Sequence, residues 1–418
     1  MKPSTLLDLG ADLVRAVLKL DQPADAIVSA FFREHRGLGA RDRHLLAEAV
    51  YGVLRQRLLF QHLAQGGGDR ERRLVVLAWQ EHADLLRAAL SPPEQAWLAE
   101  VTSRDRSGWP DKLRHNLPDW LASALQELQG DAFWPLVQSL SEQAPLDLRV
   151  NLLKAKREDV QRALVESGFT VAPTPYSPWG LRVQGKPALH HLDVFARGEV
   201  EVQDEGSQLL ALLTDAKRGE MVVDFCAGAG GKTLALGAAM RNTGRLYAFD
   251  ISGHRLDALK PRLARSGLSN VHPAQIAHER DDRIKRLAGK IDRVLVDAPC
   301  SGLGTLRRQP DLKWRQSPKA IQALELRQAA ILEGAARLVK SGGRLVYATC
   351  SLLTGENEAI AEAFTAQHAQ DWEPQLAEAA LTAARVSDAQ TLVSGPYLRL
   401  WPHRHQTDGF FAAVWQRR

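Results

Sequence analysis

Between residues 221 and 350, short apolar segments alternate with stretches of helical periodicity. Four segments are strand-like: MVVDF (221–225), RLYAFD (245–250), DRVLVDAP (292–299) and RLVYATC (344–350), with a weaker one near residue 271. Strands that are apolar along their length and separated by helices are typical of a mostly parallel sheet covered on both faces. The pattern therefore predicts an α/β fold, and the closing FFAAVW (410–415) predicts an edge strand.

The rest of the chain shows two other patterns. Residues 1–62 have helical spacing, whereas residues 147–204 contain strand-like pieces around the helical REDVQRALVESG (157–168). A chain of 418 residues is also long for a single core. We predict three domains: a helical domain at 1–140, a small α+β module at 145–205 and the α/β domain at 206–418.

Charge and cysteine content narrow the functional class. The net charge is +5, but residues 1–150 carry −2 and residues 251–350 carry +10. The basic stretch is either a solvated helical face or a surface for a nucleic-acid backbone. The sequence has no apolar run that could span a bilayer and no signal-peptide core, so we expect a cytoplasmic protein. The three cysteines include no C-x-x-C pair and are expected to be free thiols.

A Gly-rich stretch, VVDFCAGAGGKTLAL (222–236), follows the first predicted strand. It is not a P-loop, because Cys226 occupies the first glycine position, and not a dinucleotide fingerprint, because Thr233 replaces the third glycine. Glycines before a helix still allow a ligand to approach backbone donors. Asp250, at the end of the second strand, is placed to accept ribose hydroxyls. These features predict a ribose-bearing cofactor without a tightly held phosphate chain, such as S-adenosylmethionine.

Each cysteine follows a predicted strand: Cys226 the first, Cys300 the fourth and Cys350 the fifth. Strand ends of a parallel sheet share one edge, and neighbouring strands are ~4.8 Å apart, so these thiols can converge on one substrate. Free cysteines are also common as small buried hydrophobic residues. A zinc site is the other alternative, but no histidine lies within five residues of any cysteine to complete it.

A thiol beside a methyl donor suits methylation of carbon 5 of a pyrimidine. Addition of a thiolate to carbon 6 makes carbon 5 nucleophilic, and loss of the carbon 5 proton later releases the thiolate, which is covalent catalysis. Asp297, next to the fourth strand's cysteine, could donate a proton to the base. The base must be flipped or single-stranded to be reached.

These residues resemble the RsmB/Sun family of S-adenosylmethionine-dependent RNA cytosine-C5 methyltransferases, of the bacterial 16S ribosomal RNA type. The likeness covers about residues 145–418 and is carried by RVN (149–151), VQDEGSQL (202–209), CAGAGGKT (226–233), DAPCSG (297–302), ATCS (348–351) and TDGFF (407–411). It implies a Rossmann-like class I methyltransferase domain with a mostly parallel seven-stranded sheet. A small RNA-recognition-like module and an all-α NusB-like domain would precede it.

The resemblance also implies residue roles. Cys350 would attack carbon 6, Cys300 would assist product release, Asp297 would lie against the cytosine, and Lys232 would line the site. The cofactor S-adenosylmethionine would be held by Cys226, Ala227, Gly228, Ala229, Gly230, Gly231, Lys232, Asp250 and Asp297. RNA contacts are expected at Arg149, Asn151, Arg307 and Arg308. The resemblance implies no metal, and we expect a monomer that acts on ribosomal RNA.

Two positions depart from the family pattern. Ala229 replaces a proline, which predicts a more flexible loop, and Ala277 stands where a third-strand acid would meet the adenine. Asp281 is a candidate substitute for that acid. Transfer RNA or DNA as substrate, and a non-catalytic RNA-binding assembly factor on the same scaffold, remain alternatives. The intact cysteine pair argues against the last of these.

Overall fold

The computed structural model describes residues 1–66, 68–185 and 188–418, which form two units. The first unit contains Met1–Glu142 together with Thr305–Pro318, and the second contains Gln143–Gly304 and Lys319–Arg418. The predicted boundary between residues 140 and 145 lies beside this division, whereas nothing in the sequence indicated that Thr305–Pro318 belongs with the first unit. The separation of 145–205 from 206–418 stays a prediction, because both ranges lie mainly within the second unit.

In its described residues the first unit is built from helices. Those of its N-terminal part are α1 (Pro3–Val17), α2 (Ala24–Glu34), α3 (Ala40–Arg55), α4 (Arg57–Leu63), α5 (Arg70–Ala78), α6 (Ala83–Ala89), α7 (Pro92–Ser103), α8 (Asp111–His115), α9 (Asp119–Gln129) and α10 (Phe133–Ser141). Leucine and valine side chains from α1, α3 and α5 form the core around the buried Trp79. The Trp79 indole N–H donates to the Leu45 carbonyl (2.9 Å), so this large ring is buried with its polar atom satisfied.

The second unit begins with a small antiparallel sheet. Its strands are β1 (Leu146–Val150), β2 (Val171–Pro173), β3 (Gly180–Val183) and β4 (Val200–Val202), in the order β2–β3–β1–β4, with helices α11 (Arg157–Glu166) and α12 (Asp193–Ala196). This is the α+β arrangement that the sequence predicts. Because β1 pairs with β3 on one side and β4 on the other, it is a central strand.

A larger sheet forms the rest of the second unit. Its strands are β5 (Met221–Phe225), β6 (Arg245–Asp250), β7 (Val271–Gln275), β8 (Ile291–Asp297), β9 (Val339–Thr349), β10 (Trp372–Gln375), β11 (Val393–Ser394), β12 (Tyr397–Leu400) and β13 (Phe410–Arg417). The order is β11–β12–β13–β9–β8–β5–β6–β7, with β10 also paired to β13. The helices that follow α12 in the chain are α13 (Glu205–Thr214), α14 (Gly231–Ala239), α15 (Gly253–Ser266), α16 (Asp282–Lys285), α17 (Leu312–Arg315), α18 (Pro318–Ala336), α19 (Glu358–Gln367), α20 (Ala377–Ala383) and α21 (Pro402–His405). Of these, α17 belongs to the first unit.

Strands β5 to β9 run parallel and the remaining four pair antiparallel, which confirms the mostly parallel α/β prediction. The sheet has nine strands, among them the short β10 and β11, where the resemblance implied seven. The edge position predicted for FFAAVW is wrong. Strand β13 lies between β9 and β12, and its residues from Phe410 to Trp415 are buried.

Helices cover both faces of this sheet. In β5, Val222 belongs to the apolar cluster that includes side chains of α13, α14 and α20, whereas Val223 belongs to the cluster with α18 and α19. Successive strand residues point to opposite faces, so apolar residues at consecutive positions imply burial on both sides. Because helices cover both faces, a ligand-binding site is expected at the edge formed by the carboxyl ends of the parallel strands.

The segment Thr305–Pro318 packs into the first unit. Trp314 donates its indole N–H to the Leu54 carbonyl (2.7 Å), and Lys313 Nζ donates to the Arg55 carbonyl (2.9 Å). The Asp311 carboxylate accepts from the backbone N–H of Ala24 (3.2 Å). These bonds explain why a segment far along the chain completes the helical unit.

Candidate active site

Two of the three cysteines meet at the carboxyl edge of the large sheet. Cys350 directly follows β9, and Cys300 lies three residues beyond the end of β8, the neighbouring strand. Their Sγ atoms are 3.3 Å apart. The loops are joined where the Gly304 N–H donates to the Cys350 carbonyl (2.8 Å). The sequence predicted that thiols from adjacent strand ends could converge, and the structure brings this pair together.

The third thiol has a different environment. Burial raises the pKa of Cys226, and the charges of Asp250 and Asp297 raise it further, so Cys226 stays protonated at neutral pH. Its backbone has φ 67°, in the left-handed region that side chains rarely adopt. Cys226 therefore shapes the turn after β5 and is poorly suited to be a nucleophile.

Lys232 and Asp297 form an ion pair at the same edge, with Lys232 Nζ 2.7 Å from Asp297 Oδ2. Burial alone would lower the pKa of Lys232, but the charge of Asp297 and its hydrogen bond outweigh burial and raise it. The Cys350 thiolate would raise this pKa further. Lys232 thus keeps its ammonium charge at this edge of the sheet.

The Gly-rich loop needs its glycines. Gly228 and Gly230 have φ values of 58° and 82°. A Cβ atom on Gly230 would lie 2.1 Å from Leu259 Cδ1, so both the conformation and the packing require glycine there. Ala229, which was expected to loosen the loop, has its carbonyl bonded to the Arg262 guanidinium (2.6 Å). The loop then leads into the N-terminus of α14.

Asp250 joins this loop to the end of β6. Its Oδ2 accepts from the Gly228 N–H and its Oδ1 from the Ser252 N–H, both at 2.8 Å. The carboxylate also lines a cleft of about 420 Å³. A carboxylate has about four acceptor positions, so two backbone bonds leave capacity for ligand hydroxyls.

The cleft is otherwise lined by mainly apolar and basic side chains together with the acidic Glu279. These residues include Phe225, Ile251, Ile276, Ala277, His278, Glu279, Arg327 and Ile331. Asp281 is not among the residues that line the cleft, and its carboxylate caps α16, where it accepts from the backbone N–H groups of Ala277 (2.8 Å) and Arg283 (2.9 Å). That Asp281 replaces the missing third-strand acid stays a prediction.

Sequence reasoning missed the residues that join the two cysteine loops. Ser301 follows Cys300, Ser351 follows Cys350, and the buried Glu356 hydrogen-bonds to both serines. The repeated Cys-Ser pair at two strand ends was the signal that could have found them. Only the fold brings Glu356 to the serine that is 55 residues before it.

The four residues that were predicted to contact RNA are less exposed to solvent than expected. Arg149, on the central strand β1, is 2% exposed and bonds Gln203 Oε1 through Nε (2.6 Å). Asn151 is buried and donates to two backbone carbonyls. These two side chains support the fold, which corrects the expectation that they face RNA. Arg307 is buried in the first unit, and Arg308 is half-buried there.

Two kinds of feature are absent from the part of the chain that the structure describes. Within 1–66, 68–185 and 188–418, no three His, Cys, Asp or Glu side chains are grouped so that they could hold a metal ion. The helices in those ranges are also too short or too polar to cross a membrane.

The Rossmann-like sheet, with its Gly-rich turn after β5 and an acid at the end of β6, defines the fold of a class I methyltransferase. A family model for the 16S rRNA methyltransferases RsmB/F matches residues 211–416, and a model for the ferredoxin-like domain of RsmF/B-like methyltransferases matches residues 117–190. The chain belongs to the RsmB/F family, which confirms the resemblance. The helical N-terminal region fits the NusB-like domain.

Individual relatives agree with this assignment. The chain is 33% identical to the "Probable ribosomal RNA small subunit methyltransferase B" of Synechocystis, covering 96% of this chain and 97% of that protein. It is 33% identical to the "Ribosomal RNA small subunit methyltransferase B" of Yersinia pseudotuberculosis over 71% of this chain and 65% of that protein. The crystal structure of PH0851 matches all of this chain and 99% of that one, with a TM-score of 0.79 and 26% identity.

Proposed function

We propose that this protein methylates carbon 5 of a cytosine in small-subunit ribosomal RNA with S-adenosylmethionine as the donor. The observation that carries the proposal is the 3.3 Å separation of the Cys300 and Cys350 sulfur atoms at the edge that also holds the Gly-rich loop. Membership of a 16S rRNA methyltransferase family supports the RNA substrate. Two adjacent thiols suit a reaction in which one attacks the cytosine ring and the other assists release of the methylated product.

Cys350 is the proposed nucleophile. Its thiolate adds to carbon 6 of the cytosine, which forms a C–S bond and moves electron density to carbon 5. The Lys232 ammonium stabilises the thiolate before attack. Asp297, which is paired with Lys232, lies against the base. There it either stabilises the charge that develops on the ring nitrogen or donates a proton to that nitrogen. The assignment of Cys350 over Cys300 rests on the family likeness of the ATCS motif.

Cys300 is proposed to act after methyl transfer. The carbon 5 proton passes to solvent, and the electron pair of that C–H bond expels the Cys350 sulfur and restores the ring. The Cys300 thiol donates its proton to the departing sulfur and afterwards regains one from solvent. The hydrogen bond to Cys350 and burial both raise the pKa of Cys300, so it remains a thiol while Cys350 attacks. Different protonation states suit the different roles of the two sulfurs.

The residues of the cleft fit the proposed cofactor. The methyl group that S-adenosylmethionine supplies is electrophilic because it is bonded to a sulfonium. Asp250 would accept the ribose hydroxyls, and the loop from Cys226 to Lys232 would hold the methionine part through its backbone N–H groups. The apolar side chains of the cleft would take the adenine. Asp297 would lie between the donor and the cytosine.

The test uses the purified full chain with small-subunit ribosomal RNA and methyl-labelled S-adenosylmethionine. Digestion to nucleosides and mass spectrometry should find the label in 5-methylcytidine, and bisulfite sequencing should locate it. Transfer RNA in place of ribosomal RNA tests the main alternative substrate. Label in another nucleoside, or none in either RNA while the protein binds the cofactor, would overturn the proposal.

A further inference from the structure

The carboxylate of Glu356 is bonded to both loops that carry the paired cysteines. Its Oε1 accepts from the Ser301 backbone N–H (2.8 Å), and its Oε2 accepts from the Ser301 hydroxyl (2.6 Å) and the Ser351 hydroxyl. The two hydroxyl oxygens are 3.1 Å apart. Each serine directly follows a cysteine. The Glu356 side chain therefore links the two backbone segments that carry the sulfur atoms.

From this geometry we propose that Glu356 is a positioning residue that keeps the Cys300 and Cys350 thiols within reach of the same pyrimidine ring. The inference rests on the proposed function for its chemistry, but the positioning itself can be measured without RNA. Glu356 acts through Ser301 and Ser351 and has no direct contact with either sulfur among the bonds described.

A carboxylate is the side chain that suits this place. Two oxygens with about four acceptor positions can serve donors from both loops at once, and hydrogen bonds to an ionised acceptor are stronger than neutral ones. Glu356 is fully buried, where an ion is tolerated only when it is well bonded. A glutamine there could accept at one oxygen only, so the donors at the other oxygen position would lose their acceptor.

The carboxylate is itself held in place. Gln328 on α18 donates to Oε1 (2.9 Å) and to the Pro299 carbonyl (3.0 Å), next to Cys300. The Tyr347 hydroxyl on β9 donates to the backbone carbonyl of Glu356 (2.6 Å). Buried hydrogen-bonded networks of this kind restrict movement, so the sulfur separation is set by the network as well as by the loops.

Electrostatics agree with the geometry. After the hydrogen bond to Cys350 and burial, the negative charge of Glu356 is a further cause of the raised pKa of Cys300. The charge thus helps to keep Cys300 protonated while Cys350 attacks. Replacing Glu356 by an uncharged residue should therefore change the distance between the two sulfur atoms and also the difference in protonation between the two thiols.

The first experiment measures the sulfur separation through thiol reactivity in the RNA-free full chain. Diamide takes up the two thiol hydrogens and leaves a Cys300–Cys350 disulfide, which peptide mass mapping distinguishes from any product of Cys226. We expect Glu356→Gln to slow this reaction at least several-fold relative to the native chain. Ser301→Ala and Ser351→Ala, which remove one hydroxyl each and disturb folding less, should slow it to a smaller extent.

The second experiment measures methyl transfer with the same variants. Misplacement by about 1 Å can cost up to ~10²-fold in rate, so Glu356→Gln should lower kcat 10- to 100-fold. The KM for S-adenosylmethionine should change less than twofold, since the cleft is untouched, and Glu356→Asp should recover part of kcat. The matched control is Glu333→Gln, a carboxylate on α18 that bonds His368 and neither serine.

The outcomes separate the two proposals. Native disulfide and methylation rates in Glu356→Gln would overturn the positioning role, as would equal losses in the Glu333→Gln control. A loss of cofactor affinity parallel to the loss of kcat would also overturn it, because that indicates general unfolding. If the native chain forms no 5-methylcytidine, the proposed function fails, while the disulfide rates still decide whether Glu356 sets the thiol spacing.

Discussion

Lys232 Nζ lies 2.7 Å from Asp297 Oδ2, so the helix after the Gly-rich loop is ionically bonded to the end of β8. This bond joins the proposed cofactor loop to the strand that leads to Cys300. It also places a fixed positive charge where the Cys350 thiolate is needed. The pair therefore belongs to both halves of the proposed reaction.

Asp297→Asn should lower kcat by about 10²-fold or more, because the base loses its proton-donating or charge-stabilising partner. The variant should also shift the alkaline limb of the pH–rate profile to lower pH. An asparagine at position 297 carries no negative charge to counter the effect of burial, so the pKa of Lys232 falls. The Lys232 ammonium is therefore lost at a lower pH. Steady-state methylation measured from pH 6 to pH 10 checks both effects.

Lys217→Met is the control for this pair. Lys217 forms an exposed ion pair with Asp215 (3.2 Å), away from the cysteine loops in sequence and in its contacts. Its substitution should leave the rate and the pH profile as in the native chain. An unshifted alkaline limb in Asp297→Asn would contradict the coupling between Lys232 and Asp297.

The two cysteines should behave differently when each is replaced. Cys300→Ala should accumulate a covalent protein–RNA adduct, because Cys350 can attack carbon 6 but release is impaired. Cys350→Ala should form no adduct, because the nucleophile is absent. Denaturing electrophoresis of labelled RNA with each variant and S-adenosylmethionine measures the difference. Equal adduct formation by both would refute the assigned roles.

Asp250→Ala should weaken binding of S-adenosylmethionine about 10- to 100-fold, the usual cost of lost hydrogen bonds to a charged group. The variant also releases the Gly228 N–H, which shapes the loop. Calorimetric titration of the RNA-free protein measures the affinity. Asp281→Ala is the control, because that carboxylate caps α16 and does not line the cleft. Unchanged affinity in Asp250→Ala would remove Asp250 from the ribose site.

Stability of the first unit should depend on the ionisation of Lys313. Burial, and then the nearby Arg55, lower the pKa of Lys313 to about 7, whereas an unfolded lysine has a pKa of about 10.4. At pH values between these two pKa values, the unfolded chain binds more protons at this lysine than the folded chain does. The contribution of Lys313 to the free energy of unfolding therefore rises as the pH is raised from 7 to 10. Lys313→Met should abolish that rise.

Urea unfolding followed by circular dichroism at pH 7 and pH 9.5 tests this expectation. The stability of the native chain relative to Lys313→Met should increase with pH. Lys112→Met is the control, because Lys112 is exposed and pairs with Asp119 at the surface. The same pH dependence in the native chain and Lys313→Met would contradict the buried, neutral state of Lys313.

The sequence by itself was sufficient for the class of fold and for the edge that carries the site. Apolar strands separated by helices determine a parallel sheet. Asp250 ends β6 and the cysteines lie one to three residues beyond strand ends, so their placement at one edge needs only local pattern and sheet geometry. The motif likeness identified the family for the same reason, because the motifs are short and contiguous. The position where a strand ends is a local property.

Properties that depend on side chains distant in the chain were decided only by the tertiary structure. Arg149 looks like a surface cation in sequence, but its strand is paired along both edges, and the side chain is buried and bonded to Gln203. Thr305–Pro318 joins the helical unit through hydrogen bonds to α3 and the start of α2, which no local pattern encodes. Glu356 gains its role because folding brings its carboxylate to Ser301. Such contacts arise from packing of whole elements, and the periodicity of a single element carries no information about its partner.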